Sequence, residues 1–443
     1  MGTYIWFELR RKIIQPKTWF LMVLIFILSF QKIVDYNEKS LTDISSPEVT
    51  FDLRGKYMES SGNRLLDHYK DGPEKSKKSA ELLLNTGTQI RIAAAEENYH
   101  EWKRLISFGE LINSKAAVQK MGGLREESFR IRSMKIWKEV SNGVDYDEVD
   151  FEFGNPMALR GYSDTFLADA QYNHILYRDN LHPIGRYHMD GMTFFYHYFN
   201  EIIPMLIGFI ILILVFDSIN EEWSNGSLKL ILTQPFSRNK YIMSKIIVGT
   251  LQTLFIILIP AIIISMGYGI LNGFENYNYP VLHMEKGLQS FKPLPNYLER
   301  DMGIKGYNDH YGISIYSHVV DPIVGFSKKL NFIPLYKFLS MALLLLIFAT
   351  IFYVALNVFI SSITKNKIIG FSASGLITLI GTVISQRWTI GDRYNLSPFT
   401  MNNPVMILNG TYNATALMAL TVLIVSIIVI YLTNLIYFQR KDL

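Results

Sequence analysis

Apolar residues in this chain gather into six long blocks, and the polar stretches between them differ sharply in length. The blocks cover 16–34, 199–219, 242–271, 334–363, 368–384 and 414–438. A helix needs about 20 apolar residues to cross the hydrocarbon of a bilayer, so each block predicts a membrane span. The fifth is short and rich in small residues: Gly370, Ser372, Ala373, Ser374, Gly375, Thr378, Gly381 and Thr382. Small faces let helices approach closely, which predicts that this span packs inside the bundle rather than against lipid. Ahead of the first block, residues 1–15 set Tyr4, Ile5, Trp6, Phe7, Leu9, Ile13 and Ile14 against Glu8, Arg10, Arg11 and Lys12. This predicts an amphipathic helix with an aromatic-aliphatic face and a basic face, lying in the membrane interface. Pro16 breaks it before the first span.

The polar stretches predict the rest of the architecture. Residues 35–198 are long enough for a domain and read as helical over 76–121, with a break at Gly122-Gly123 and a second helix from Glu126 to Val140. Following an odd number of spans, this domain is expected outside the cell. A second extracytoplasmic segment covers 272–333, and its Ser290–Pro295 tract reads as irregular. A third, 385–413, is expected to dip back as a re-entrant or interfacial segment. The 220–241 loop, the basic turn Thr364–Lys367 and the tail 439–443 carry positive charge, as do Arg10, Arg11, Lys12 and Lys17. Basic residues beside spans mark the cytoplasmic side, so both termini are expected there, at the plasma membrane. The fold class expected is an all-α polytopic membrane protein with six transmembrane helices, an N-terminal interfacial helix and a large, mostly helical extracytoplasmic domain.

Within the 220–241 loop, Glu221 and Glu222 precede Gly226, Ser227, Leu228, Leu230 and Leu232, and Pro235 and Arg238 follow. Gly226-Ser227 is expected to open a short half-apolar helix that Pro235 closes. Acidic residues, Gly-Ser-Leu, Leu-Thr-x-Pro-x-Ser-Arg and a lysine at the mouth of the next span together resemble the ABC-2 type permeases, the membrane subunits of one class of ABC exporter. The resemblance implies that this loop is a coupling helix docked on a separate ATP-hydrolysing subunit. Glu221, Glu222, Gly226, Ser227, Leu228, Leu230, Leu232, Pro235 and Arg238 would form that contact. The N-terminal helix, through Trp6, Phe7, Arg10, Arg11 and Lys12, would brace it on the membrane. The same resemblance implies ATP and Mg on the partner ATPase and no cofactor on this chain. It also implies assembly with a second permease copy or a paralogue. The 35–198 insert is larger than in many members.

Composition and motif searches narrow the chemistry. The 443 residues contain no cysteine, which removes disulfide and thiolate-metal sites, and the net charge of +4 gives no reason to invoke nucleic acid. Frequent Lys, Ile, Asn and Tyr hint at an AT-rich bacterium. Neither a phosphate-binding G-x-x-x-x-G-K-[ST] loop, an H-E-x-x-H zinc motif nor a G-x-S-x-G elbow occurs, so no catalytic set is expected. His174, His182, His188 and His197 match no ligand spacing, and no metal site is expected. Glu201 and Asp217 stand at the two ends of the second span and no ionisable group at the middle of any, which weighs against proton coupling. The reading favours an exporter of an amphipathic or lipophilic peptide, antibiotic or drug. A receptor scaffold working through the outer domain, and cation (sodium) export within the same family, remain as alternatives.

Overall fold

The computed structural model describes residues 2–42, 47–120, 127–152, 162–185, 187–228, 237–284, 330–388, 396–409 and 414–440. Leu230, Leu232, Pro235, Gly122-Gly123 and the Ser290–Pro295 tract lie outside them. The chain is an all-α polytopic membrane protein with six spanning helices. The spans are Pro16–Leu41, Thr193–Ser224, Arg238–Asn272, Leu335–Ile363, Lys367–Ile384 and Ala416–Arg440. The second and fourth form the centre: 61% of the apolar window of each is buried, against 28% for the first and 22% for the sixth.

The fifth span departs from expectation. Only 11% of its window is buried, and Ile368, Leu376, Leu379 and Ile380 face outward. Gly375 and Thr378 face the second span, while Gly381 lies against Phe399. Leu212 lies against Gly375, Phe216 meets Phe371 edge-on at 5.2 Å, and a Cβ on Gly208 would stand 3.0 Å from Thr378. A stripe of small residues allows close contact on its own face; it does not bury the rest of a helix whose other positions are Ile, Leu and Val.

Proline shapes the second span. A π-turn, Tyr198–Ile202, precedes Pro204, whose missing N–H would have bonded the carbonyl of Asn200. Asn403 Nδ2 donates to that carbonyl instead at 3.1 Å, and Asn402 Nδ2 donates to the Pro204 carbonyl at 2.9 Å. Residues 396–409 are thereby folded back on the bundle, with the short helix Pro404–Leu408 buried and Asn403 as its N-cap. Tyr198 also donates to the Ile257 carbonyl of the third span at 2.6 Å, in the turn before Pro260.

An N-terminal helix, α1 (Gly2–Ile13), precedes the first span, α2 (Pro16–Thr42), and the helical domain follows. It contains α3 (Pro47–His68), α4 (Glu74–Ala95), α5 (Tyr99–Lys120), α6 (Glu127–Val140) and α7 (Tyr162–Arg178). The single 76–121 helix of the sequence reading is two helices. Glu97 turns left-handed at φ 55°, and the Asn98 side chain caps the new helix by accepting from the Glu101 N–H at 3.2 Å. α3 and α4 pack at backbone distance because Gly87 faces Glu59 and Gly62 faces Leu84, where a Cβ would clash at 2.6 and 2.7 Å. The domain core is Met58, Leu65, Leu83, Ile90, Trp102, Ile106, Trp137 and Leu176, with Trp102 Nε1 donating to the Phe51 carbonyl at 3.2 Å. Two short antiparallel strands, β1 (Pro280–Met284) and β2 (Leu330–Pro334), join this domain to the fourth span. Tyr279, just before β1, hydrogen-bonds Tyr172 of α7 and accepts from the Ile184 N–H at 3.0 Å.

Candidate functional site

The residues singled out by sequence converge at the end of the bundle opposite the helical domain, where α1 (Gly2–Ile13) lies beside the mouths of the second and third spans. The second span is interrupted by a turn near its end, where Ser361 Oγ of the fourth span accepts from the Ile219 and Asn220 N–H groups at 3.0 and 3.1 Å. The Asn220 amide and the Thr364 hydroxyl meet at 3.0 Å. One further turn, Asn220–Ser224, is closed by Gly226, whose φ of +72° is the left-handed geometry glycine adopts without strain. Gly226 therefore ends one helical turn, and Ser227 and Leu228 begin the next. Ser224, Asn225 and Gly226 form an exposed tip, while Leu228 is buried. Lys365 sits 5.5 Å over the Trp223 ring, from the turn between the fourth and fifth spans.

Beneath this tip is a buried charge cluster that sequence reasoning missed. Lys245 Nζ lies 2.6 Å from Glu222 and is also bonded to Glu8 of α1, and Tyr241 donates to Glu222. The side chains of Lys245, Glu8 and Glu222 are only 2%, 4% and 10% exposed. One cation thus serves two carboxylates from two other elements. Burying charge is costly without a partner, so each of these three groups depends on the others for its place. Tyr4 stands beside them; burial, with Glu8 nearby, pushes its hydroxyl up to about 12. Lys12 is buried as well, and that desolvation holds its ammonium below the usual lysine range. The signal in the sequence was the spacing Tyr4, Glu8, Lys12, which puts one polar residue per turn on a single face.

Two placements differ from the sequence reading. Glu222 turns inward to Lys245, leaving Glu221, half-buried, as the outer member of the pair. The basic face of α1 is split, because Lys12 points into the bundle while Arg10 and Arg11 stay exposed beside Trp6 and Phe7. Arg238 donates to the Phe438 and Gln439 carbonyls, both at 2.9 Å, so it caps the sixth span. A cation there suits the negative end of a helix dipole. Tyr241 stacks on Phe438 at 5.7 Å, and Ser237 N-caps the third span. Lys17 pairs with Asp217 at 3.3 Å, and Gln252 of the third span donates to Thr18 at 2.9 Å. At the opposite end, Glu201 pairs with Lys32 at 2.6 Å and accepts from Tyr36. Among the described residues no group of three His, Asp or Glu side chains is arranged to hold a metal.

The family model described as ABC-2 family transporter protein matches residues 3–443. The chain belongs to that family. No curated protein and no solved structure matches it. This permease is the membrane component of an ABC transporter, in a family that associates with ABC ATPase subunits. In this ABC-2 permease α1, the end of the second span and the third span meet at one buried lysine beneath an exposed loop tip.

Proposed function

We propose that this chain is the permease subunit of an ATP-driven exporter, with ATP and Mg bound by separate nucleotide-binding subunits that dock on the 220–241 loop. The observation that carries the reading is the mounting of the loop. Its exposed tip, Ser224–Gly226, is tied through Ser361 and Thr364 to the fourth span and through Glu222 and Lys245 to the third span and α1. A partner closing on ATP would push the tip, and buried ion pairs and hydrogen bonds would pass the movement to the second, third and fourth spans as rigid bodies. The loop, α1, the 364–367 turn and the C-terminal end lie on the cytoplasmic side in this reading, because their basic residues favour it. The helical domain then stands outside the plasma membrane.

Cargo is read from the bundle. Among the described residues, the ionisable groups of the spans cluster at the two ends: Lys17, Asp217, Glu222 and Lys245 at one, Lys32 and Glu201 at the other. A path without a charged midpoint suits an amphipathic or lipophilic peptide, antibiotic or drug and gives proton coupling no titratable group. The weakly buried fifth span, whose Ile368, Leu376, Leu379 and Ile380 face outward, is the face we assign to a second permease copy or paralogue.

Gly226→Pro and Arg238→Glu test the docking role. Proline cannot adopt a φ of +72°, and glutamate would set a negative charge against the carbonyl end of the sixth span. Both variants are expected to insert in the membrane yet lose ATP-dependent transport in proteoliposomes. Full transport by both would remove the loop from the coupling path.

A further inference from the structure

α1 has two unlike sides. Tyr4, Glu8 and Lys12 recur at four-residue spacing and turn toward the bundle, whereas Trp6, Phe7, Arg10, Arg11 and Ile14 line the outward side. Trp6, Phe7 and Ile14 are 68%, 67% and 64% exposed, and Trp19 and Phe20 continue the apolar rim onto the first span. The four cations of 10–17 are not equivalent. Lys12 is buried and Lys17 is paired with Asp217 at 3.3 Å. Arg10 and Arg11 present their charge outward, and the carboxylate 4.0 Å from Arg11 belongs to Glu8, already bonded to Lys245.

We infer that this face binds the headgroup of an anionic phospholipid. The guanidinium forks of Arg10 and Arg11 engage the phosphate, and Trp6 and Phe7 seat at the boundary between headgroup and acyl chain. Planar guanidinium matches phosphate oxygens bidentately. Tryptophan is favoured at the level of the headgroups, and clustered arginines beside a span attract anionic lipid. A zwitterionic lipid offers the same phosphate, but its own cation opposes the two arginines. Two features favour lipid over a protein surface as the occupant: large apolar side chains flank both arginines, and the face runs on into the lipid-facing start of the first span. The inference rests on the membrane fold and is independent of the docking reading. Because Glu8 and Lys245 tie the other side of α1 to the loop base, a bound lipid would fix the base from outside.

The test is native mass spectrometry of the delipidated full chain, titrated separately with phosphatidylglycerol and phosphatidylcholine. The wild type is expected to retain phosphatidylglycerol with a preference of roughly tenfold or more. In Arg10→Gln/Arg11→Gln the preference should fall to about twofold or less. Arg10→Lys/Arg11→Lys, which keeps the charge, should retain most of it. An unchanged thermal midpoint in the glutamine variant shows that the loss is not unfolding, since neither arginine holds the bundle together. The inference is overturned if the wild type shows no preference, or if the glutamine variant keeps it in full. It is equally overturned if the variant keeps the lipid preference but loses a co-purifying ATPase, which would assign the face to that protein.

Discussion

Replacing Lys245 by methionine keeps the length of the side chain and deletes the one cation between Glu8 and Glu222. In the native protein the ammonium is 2% exposed and the two carboxylates 4% and 10%. Without it, two acids share a site from which water is largely excluded, with the Tyr4 and Tyr241 hydroxyls and the exposed Arg11 guanidinium, 4.0 Å from Glu8, as their remaining partners. Breaking a buried ion pair by removing one member costs about 3–5 kcal/mol, and the second carboxylate sets this case at the upper end. Glu8→Gln is a different perturbation. It removes one of two anions, leaves Glu222 at 2.6 Å from the lysine, and supplies an amide oxygen that still accepts from Lys245. Its cost should be about 1 kcal/mol. In the double variant one surplus acid is gone, so the combined cost should fall short of the sum by at least about 1 kcal/mol. Denaturation of the full chain in mixed micelles of mild detergent and dodecyl sulfate, followed by helical circular dichroism, reads all four proteins. The reasoning is refuted if Lys245→Met costs no more than Glu8→Gln, or if the two costs simply add.

The helical domain supplies two further predictions. Arg54 of α3 faces both Glu110 of α5, at 3.1 Å, and Asp169 of α7, at 2.6 Å. Burial, with Asp169 adding to it, pushes the Glu110 carboxyl up to about 8, so the native protein holds a proton that the unfolded chain releases near its ordinary value of 4.5. That contribution to stability is fully present below the ordinary value and is lost as pH rises through about 8. Thermal midpoints measured from mildly acidic to mildly alkaline buffer should therefore decline in the wild type and flatten in Glu110→Gln; a flat wild-type profile contradicts the assignment. Asn98→Ala should cost about 1 kcal/mol through loss of the α5 N-cap. Hydrogen exchange should then quicken in the first turn of α5, and unchanged exchange there would show that the cap contributes nothing.

Much of the membrane part was legible because a span is a composition before it is a structure: about 20 apolar residues leave a chain few alternatives. What periodicity could not give was neighbourhood. The small residues of the fifth span showed that something packs closely, and the second span does so at Gly208 and Leu212, but not that the rest of the helix is left open. Glu8 lies 237 positions before Lys245, so the ion cluster exists only once α1 is laid across the third span. Glu222 looked like a loop charge because charges in loops usually face water; its partner stands 23 positions later, inside what becomes the next helix. The break at Glu97-Asn98 carried a local signal, an Asn three residues ahead of Glu101, which the charge-rich surroundings masked.

Site-specific cross-linking tests the central claim most directly, and the absence of native cysteine makes it clean. Asn225→Cys places a single thiol on the exposed loop tip, and Lys70→Cys places one on the helical domain, beyond α3. The full chain, co-expressed with the ATPase subunits of its own genome, is labelled with a short maleimide–diazirine linker, illuminated, and read by mass spectrometry. Cross-links from position 225 to a nucleotide-binding subunit, diminished when ATP closes or releases that subunit and absent from position 70, are the result this account predicts. Cross-links from position 70 with none from position 225 would contradict it and would move the partner, and the function, to the other side of the membrane.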